Sequence, residues 1–206
     1  QDDISLLKDL DLIVGARADF HSTFGSNITP QASTMYSPGN FNFRASFGQG
    51  YRAPTVKELF TDHFQVPAFG SPIAFFLEGN ADLKPEKSNY YSVSGQYSND
   101  KIDFSVNYSE NRIVNLINSD SILNMVMGPR GPSQIDYIYS NVEKAVIKNI
   151  NLLLKLRLAK NLALTGSYTY TKPMNTTTDM ELVNVRNHNA RFNLDYNKRF
   201  KKYLFT

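Results

Sequence analysis

Ile102-Asp103-Phe104-Ser105-Val106-Asn107-Tyr108-Ser109 alternates apolar and polar side chains without a break. Side chains two residues apart share a face of a strand, so this octapeptide reads as a ribbon with one oily side and one wet side. Outward from it the pattern recurs. Toward the N-terminus, 88–97 sets Tyr91, Val93, Gly95 and Tyr97 against Tyr90, Ser92, Ser94 and Gln96. The segment 41–47 sets Phe41, Phe43, Ala45 and Phe47 against Asn42, Arg44 and Ser46, and 28–36 shows a weaker version. The first such segment, 10–20, sets Leu12, Val14, Ala16, Ala18 and Phe20 against Ile13, Gly15, Arg17 and Asp19. Toward the C-terminus, 134–158 carries Leu152, Leu154, Leu156 and Leu158 opposite Asn151, Lys155 and Arg157. Two more strands present Leu162, Leu164, Gly166, Tyr168 and Tyr170, then Ala190, Phe192, Leu194 and Tyr196. The segment beginning at Ile102 can continue to Ile117, and 200–206 reads as a turn with the start of another strand. This periodicity predicts about eight strands in an all-β antiparallel meander.

The connections alternate in length. Reversals at Pro38, Asn99 and Asn161 are tight, and Ser37-Pro38-Gly39-Asn40 has the residues that preset φ or tolerate a positive one. Those around Pro54, Pro129 and Asn175 are long. Alternate connections of a meander lie at opposite ends, so the short turns share one rim and the long loops the other. Short periplasmic turns and long external loops are the arrangement of an outer-membrane barrel. Most segments also reach the roughly 9–11 residues that a tilted strand needs to cross a bilayer, where globular strands are about 5–6.

Composition permits this reading. The 206 residues include 12 Tyr and 14 Phe, a supply that suits strands and interfacial girdles. A mean hydropathy of -0.37 and the lack of any apolar run of about 18 residues speak against membrane-spanning helices, but barrel strands never build such a run. With no Cys, disulfide frameworks and thiolate metal sites are excluded. A net charge of +3 is too mild to imply nucleic acid. Gln1-Asp2-Asp3 does not read as a signal peptide.

Two boxes bracket the long connection 48–86. One is Phe47-Gly48-Gln49-Gly50-Tyr51-Arg52-Ala53-Pro54-Thr55, followed by Glu58-Leu59-Phe60; the other is Gly79-Asn80-Ala81-Asp82-Leu83-Lys84-Pro85-Glu86. With Tyr139-Ser140-Asn141-Val142-Glu143-Lys144-Ala145, they make most of the chain resemble the C-terminal barrel portion of TonB-dependent outer-membrane receptors. Ala81 stands where that family more often has Pro. The resemblance implies that 1–206 is part of a large transmembrane β-barrel, with the plug domain and last strands outside this stretch. It implies outer-membrane lipid, the plug and TonB as partners. The function implied is active import of a scarce solute, a ferric siderophore first, haem or cobalamin as alternatives.

Within the boxes, Tyr51, Arg52, Glu58, Asn80, Leu83 and Glu86 are expected to serve architecture, through turn hydrogen bonds and an Arg–carboxylate pair, with Pro54 and Pro85 stiffening the loop ends. Thr55 and Glu58 have capping-box spacing for a helical turn. His63, flanked by Phe60 and Phe64, is the sharpest ligand candidate: imidazole is a good axial ligand and aromatic rings stack on a porphyrin. The plainer expectation is a hydrogen-bonded loop histidine. His21 could face the same mouth, whereas His188 has no evident partner. Phe64, Phe69, Phe75 and Phe76 are candidate ligand contacts that could equally pack the loop onto the rim. Arg17, Asp19, Arg44, Asp103 and Arg157 are expected on the wet face, paired with each other or with a plug. No catalytic motif, resident metal or cofactor is expected. The rivals are a soluble all-β carbohydrate-binding or adhesion module, which would bury the leucine face between two sheets, and a barrel enzyme, which would need a Ser/His/acid cluster at one rim.

Overall fold

A computed structural model describes the backbone of residues 2–66, 70–71, 73–129, 131–182, 185–200 and 203–205, and their side chains except those of 2–7, 120, 143, 198–200 and 203–205. The wall is built from β1 (Asp2–Leu7), β2 (Leu10–His21), β3 (Gly25–Tyr36) and β4 (Phe41–Arg52), then β7 (Glu86–Ser98), β8 (Ile102–Gly128), β9 (Gly131–Ala159), β10 (Leu162–Asn175) and β12 (His188–Tyr196). Neighbours in this order pair antiparallel, with β12 on β10. Between β4 and β7 lie α1 (Val56–Phe60), β5 (Phe64–Val66) and β6 (Ala74–Glu78); β11 (Met180–Glu181) joins the outer end of β10. A separate hairpin, β13 (Lys198–Phe200) and β14 (Tyr203–Phe205), lies where the sequence suggested a turn and a strand start.

The expected meander of about eight strands needs two corrections. The sheet has twelve strands among the described residues, because β1 and the short β5, β6 and β11 add to the eight read from periodicity. It is also mixed: β6 runs parallel to β9, from Ala74 opposite Gln134 to Glu78 opposite Ile138. Short strands inside loops carry too few residues for a period-2 signal, which is why they escape a pattern search. No described pairing joins β1 to β12, so the sheet is open here.

The registers put one continuous apolar band on the outer face. It passes through Leu12, Thr34, Ala45, Val93, Val106, Leu152–Leu158 at alternate positions, Leu164 and Leu194. Tyr36, Phe41, Tyr97 and Tyr196 edge the band near the tight turns; Tyr91, Tyr108, Tyr168 and Tyr170 edge it at the other end. Two aromatic girdles around an apolar belt are what a bilayer selects. Large side chains in the belt stay exposed, Leu194 at 63% and Phe192 at 81%. The buried hydrophobic side chains among the described residues are Leu83, Ile113 and Ala145. Among the described residues no second layer covers the leucine face, so a water-soluble sandwich has nothing to bury it against.

On the inner face, polar groups satisfy one another across strands. Thr169 donates to Asn151 (3.0 Å), Asn151 to Asn107 (3.4 Å) and Thr171 to Asn149 (2.8 Å). Arg17 pairs with Asp19 at 2.9 Å and Arg157 with Asp103 at 2.5 Å. Arg44 instead reaches Met35 Sδ at 3.3 Å. Pro30 has a local effect: lacking an N–H, it cannot continue a ladder on both sides. The β3–β4 ladder accordingly ends at Gln31 opposite Gly48, while the β2 side continues past Pro30.

Tight turns at 37–40, 99–101 and 160–161 share the inner rim, as expected. The outer rim carries the 53–85 loop, the β8–β9 tip and 176–187, but also the short link 22–24. The alternation of short and long is therefore broken twice: between β2 and β3, and at Pro129, where β8 and β9 stay paired up to Gly128 and Gly131 in place of the expected long loop. The β8–β9 hairpin is also longer than anticipated. Its ladder continues from the belt to Gly128 opposite Gly131, with interruptions at 118–121, 122–124 and 126–127. The polar residues Asn118, Ser119 and Ser121 hid that continuation from the alternation test.

Candidate functional site: the external lobe

The 53–85 loop folds into a lobe fixed at both ends by the two sequence boxes. Thr55 caps α1: its hydroxyl accepts from Glu58 N at 3.3 Å and its amide donates to Glu58 Oε2 at 2.8 Å. This reciprocal arrangement satisfies two donors that a helix start leaves orphaned, as the Thr-x-x-Glu spacing predicts.

Arg52, at the outer end of β4, joins the lobe to the wall. Its Nε and Nη2 donate to the two oxygens of Glu86, both at 2.8 Å, and Nη1 donates to those of Glu58 at 2.9 and 3.0 Å. Arg52 and Glu86 are register partners on β4 and β7, so the planar guanidinium meets the carboxylate side-on and still has a donor edge for Glu58. Glu86 also accepts from Ile117 N at 2.7 Å, tying β8 into the cluster. Both carboxylates hold the guanidinium proton more firmly than usual, Glu86 most strongly, against a smaller opposing effect of burial. Burial alone would push the Glu58 carboxyl up; the Thr55 amide, the Arg52 guanidinium and the Thr55 hydroxyl outweigh it and hold Glu58 below the usual carboxylate range.

The second box closes the lobe over the tall hairpin. Asn80 N donates to Glu58 O at 2.8 Å and Asn80 Nδ2 to Tyr139 O at 3.0 Å; its Oδ1 accepts from Asp82 N at 2.9 Å. Gly79 is forced by packing: a Cβ there would lie 2.6 Å from Thr61 N and 2.7 Å from Phe60 N. Leu83 is 3% exposed. Asn141 holds both sides of the seam, accepting from Lys84 N at 2.9 Å and donating to Lys84 O at 3.0 Å and Asn115 O at 2.8 Å. Asn115 takes φ 58, the left-handed region, and donates to Pro85 O at 3.5 Å. Pro54 is buried and Pro85 half-buried. Tyr51 lies one residue before Arg52 and accepts from Arg17 Nη2 at 3.4 Å through its carbonyl.

The aromatic candidates gather on β5 and β6. His63, with φ 39, stacks on Phe76 at 4.1 Å and 13°, and its Nδ1 lies 3.2 Å from Glu78 Oε1. Phe75 stacks on Tyr137 of β9 at 6.2 Å. Phe64 is half exposed, with Lys57 Nζ 5.6 Å above its ring. Phe69 lies outside the described residues. His21 is on the same rim but spends Nδ1 on its own turn, accepting from Thr23 N at 3.1 Å and Phe24 N at 3.3 Å. His188, for which the sequence suggested no partner, has one: its Nδ1 is 2.7 Å from Tyr168 Oη. Cross-strand partners depend on register, which sequence spacing does not supply. The same limit concealed Asn115 and Ile117, whose roles arise from contacts far along the chain. No group of three His, Cys, Asp or Glu suited to a metal ion occurs among the described residues.

A one-layer sheet with a lipid-facing belt, a hydrogen-bonded inner face and a loop lobe clamped on its outer rim defines a segment of transmembrane β-barrel wall. The chain belongs to the TonB-dependent receptor family: the family model described as TonB dependent receptor-like, beta-barrel, matches residues 1–205. It is 28% identical over 178 residues to the ferric enterobactin receptor of Pseudomonas aeruginosa, covering 82% of this chain and 24% of that protein. It is 26% identical over 183 residues to the vitamin B12 transporter BtuB of Photobacterium profundum, covering 87% and 26%. The solved ferric enterobactin receptor PfeA of Pseudomonas aeruginosa in complex with BCV-L6 superposes with a TM-score of 0.72 at 26% identity, over 94% of this chain and 29% of that one. The copper transporter OprC, 21% identical with a TM-score of 0.71, shares the fold. The chain spans about a quarter of the length of the curated relatives it matches. Its place is the outer membrane, and its family is one of transport receptors rather than of enzymes.

Proposed function

We propose that this chain supplies wall and external loops to a receptor that imports a ferric siderophore, with a plug domain and TonB as its working partners. The observation that carries the reading is the recurrence of ferric enterobactin receptors among its relatives, two from Pseudomonas aeruginosa and one from Escherichia coli, each matched over more than four-fifths of this chain. The lobe supports it. Lys57 over the exposed Phe64 ring sets a cation beside an aromatic face, a pairing that suits an anionic catecholate chelate. His63, Phe75 and Phe76 extend that aromatic surface along β5 and β6. Iron here is cargo held by its chelator, so the receptor needs shape and charge rather than ligands of its own.

Haem is the second reading, and His63 is its one specific support. Glu78 and Phe76 hold that ring by Nδ1 and one face, leaving Nε2 as the only nitrogen to offer. The test is binding by the complete receptor in detergent, titrated with a ferric tricatecholate siderophore, haem and cobalamin. Saturable quenching of protein fluorescence by the ferric siderophore, weakened by Lys57→Gln and Phe64→Ala, is expected. A Soret shift with haem that disappears in His63→Ala, with no response to the siderophore, would overturn the assignment.

A further inference from the structure

The outer face does not end at the aromatic girdle. Two residues beyond Tyr108, Ile150 and Tyr170, on the same face of the same strands, stand Glu110, Lys148 and Lys172. At about 3.3 Å per residue and a tilt near 45°, that is about 5 Å further along the membrane normal, the level of lipid headgroups. Lys148 and Lys172 are direct cross-strand partners. Like charges directly opposite destabilise a sheet, so this pair asks for an anion between them.

The described residues supply too few. Glu110 is shared by Arg112 at 2.6 Å and Lys148 at 3.9 Å. Among the described residues, no carboxylate pairs with Lys144 or Lys172. Arg112, Lys144, Lys148 and Lys172 line one groove of about 600 Å³, with Glu110 and Asp179 as its acids among the described residues. The groove is fastened to the girdle beneath it: Tyr108 Oη donates to Glu110 at 2.9 Å, and the Arg112 guanidinium lies 5.7 Å above the Tyr91 ring.

Directly below, Tyr91 and Tyr108 also border a second depression of about 490 Å³. It runs down the belt where small side chains, Ala32, Thr34 and Ala45, leave room between Leu12 and Val93. A basic shelf at headgroup height thus opens onto an apolar channel in the hydrocarbon zone.

We propose that this outward surface is a lipid site: the phosphate of an outer-leaflet lipid sits between Lys148 and Lys172, and an acyl chain lies in the Ala32/Ala45 channel. Headgroup phosphate neutralises the lysine pair, and the channel accounts for why a lipid rather than a free ion is held. Basic clusters beside membrane spans recognise anionic headgroups in this way. The site faces away from the lumen and the lobe, so it is separate from solute binding.

Native mass spectrometry of the complete receptor released from detergent tests this, with phosphatidylglycerol, phosphatidylcholine or inorganic phosphate added. Phosphatidylglycerol adducts are expected to exceed phosphatidylcholine adducts at least tenfold. Lys148→Gln/Lys172→Gln should abolish that preference, and Lys148→Arg/Lys172→Arg should keep it. Ala45→Leu, which fills the channel without changing charge, should weaken the lipid adduct. Retention of headgroup preference in the Gln pair overturns the proposal, as does retention of phosphate adducts with no lipid selectivity. Equal siderophore binding by all variants verifies that each has folded.

Discussion

Replacing Arg52 by Met removes four donor contacts while keeping an unbranched stem of similar reach. Hydrogen bonds to charged groups contribute about 1.5–3 kcal/mol each when desolvated. Arg52 is 42% exposed, however, and exposed ion pairs contribute only about 0–1 kcal/mol. The larger effect comes from Glu58 and Glu86, 14% and 15% exposed, which would be left facing each other without a cation. A total of about 2–3 kcal/mol against lobe docking follows, well short of the sum of four buried contacts. The wall ladders do not depend on Arg52, so the loss is local. At 1.4 kcal/mol per tenfold, hydrogen exchange of the lobe amides should accelerate about 30- to 150-fold. The reporting amides are those of Leu59, Thr61, Gly79 and Asn80, all bonded within the lobe. Amides of the β9–β10 ladder should not change. Arg52→Lys should fall between, because an ammonium cannot bridge both carboxylates side-on. Unchanged exchange at Gly79 and Asn80 in Arg52→Met would refute the clamp.

Two further outcomes are expected. The folded-state pKa of Glu58 is depressed, so the clamp's contribution is complete above the unfolded value and is lost as pH falls through the folded one; lobe protection, corrected for intrinsic exchange, should persist to about pH 4.3 and fade below it. Glu58→Gln should start from weaker protection and lose that acid dependence. On the outer face, Leu154→Arg at the middle of the belt should destabilise the barrel by about 2–4 kcal/mol and Leu158→Arg at its edge by about 0–1, read from urea titrations in phospholipid vesicles; equal costs would show that the belt does not follow bilayer depth.

The wall was legible because its physics is local. A strand wetted on one side and oiled on the other must alternate, and Ile102 to Ser109 does so perfectly. Turn chemistry at Pro38-Gly39 and the cap at Thr55 were equally readable, since each depends on residues a few positions apart. The Arg–carboxylate pairing came from motif resemblance, but its full shape did not. Glu58 and Glu86 converge on Arg52 from two elements while Ile117 N reaches Glu86 from a third, and only the folded chain brings them together. The histidines illustrate the same divide. His63 was recognised by its aromatic neighbours in sequence, yet its actual ring partner is Phe76, thirteen positions away. The lysine pair on the outer face was invisible for the same reason: Lys148 and Lys172 become neighbours only when β9 and β10 zip.

The parallel seam between β6 and β9 sets an order of events. Each wall hairpin can close on itself as soon as its two arms exist, a short-range search. Residues 74–78 must instead wait for residues 134–138, and a parallel match cannot form through a tight turn. The lobe therefore settles only after β9 has risen past the rim beside it. A barrel halted midway through assembly would carry sound walls and an unlatched crown.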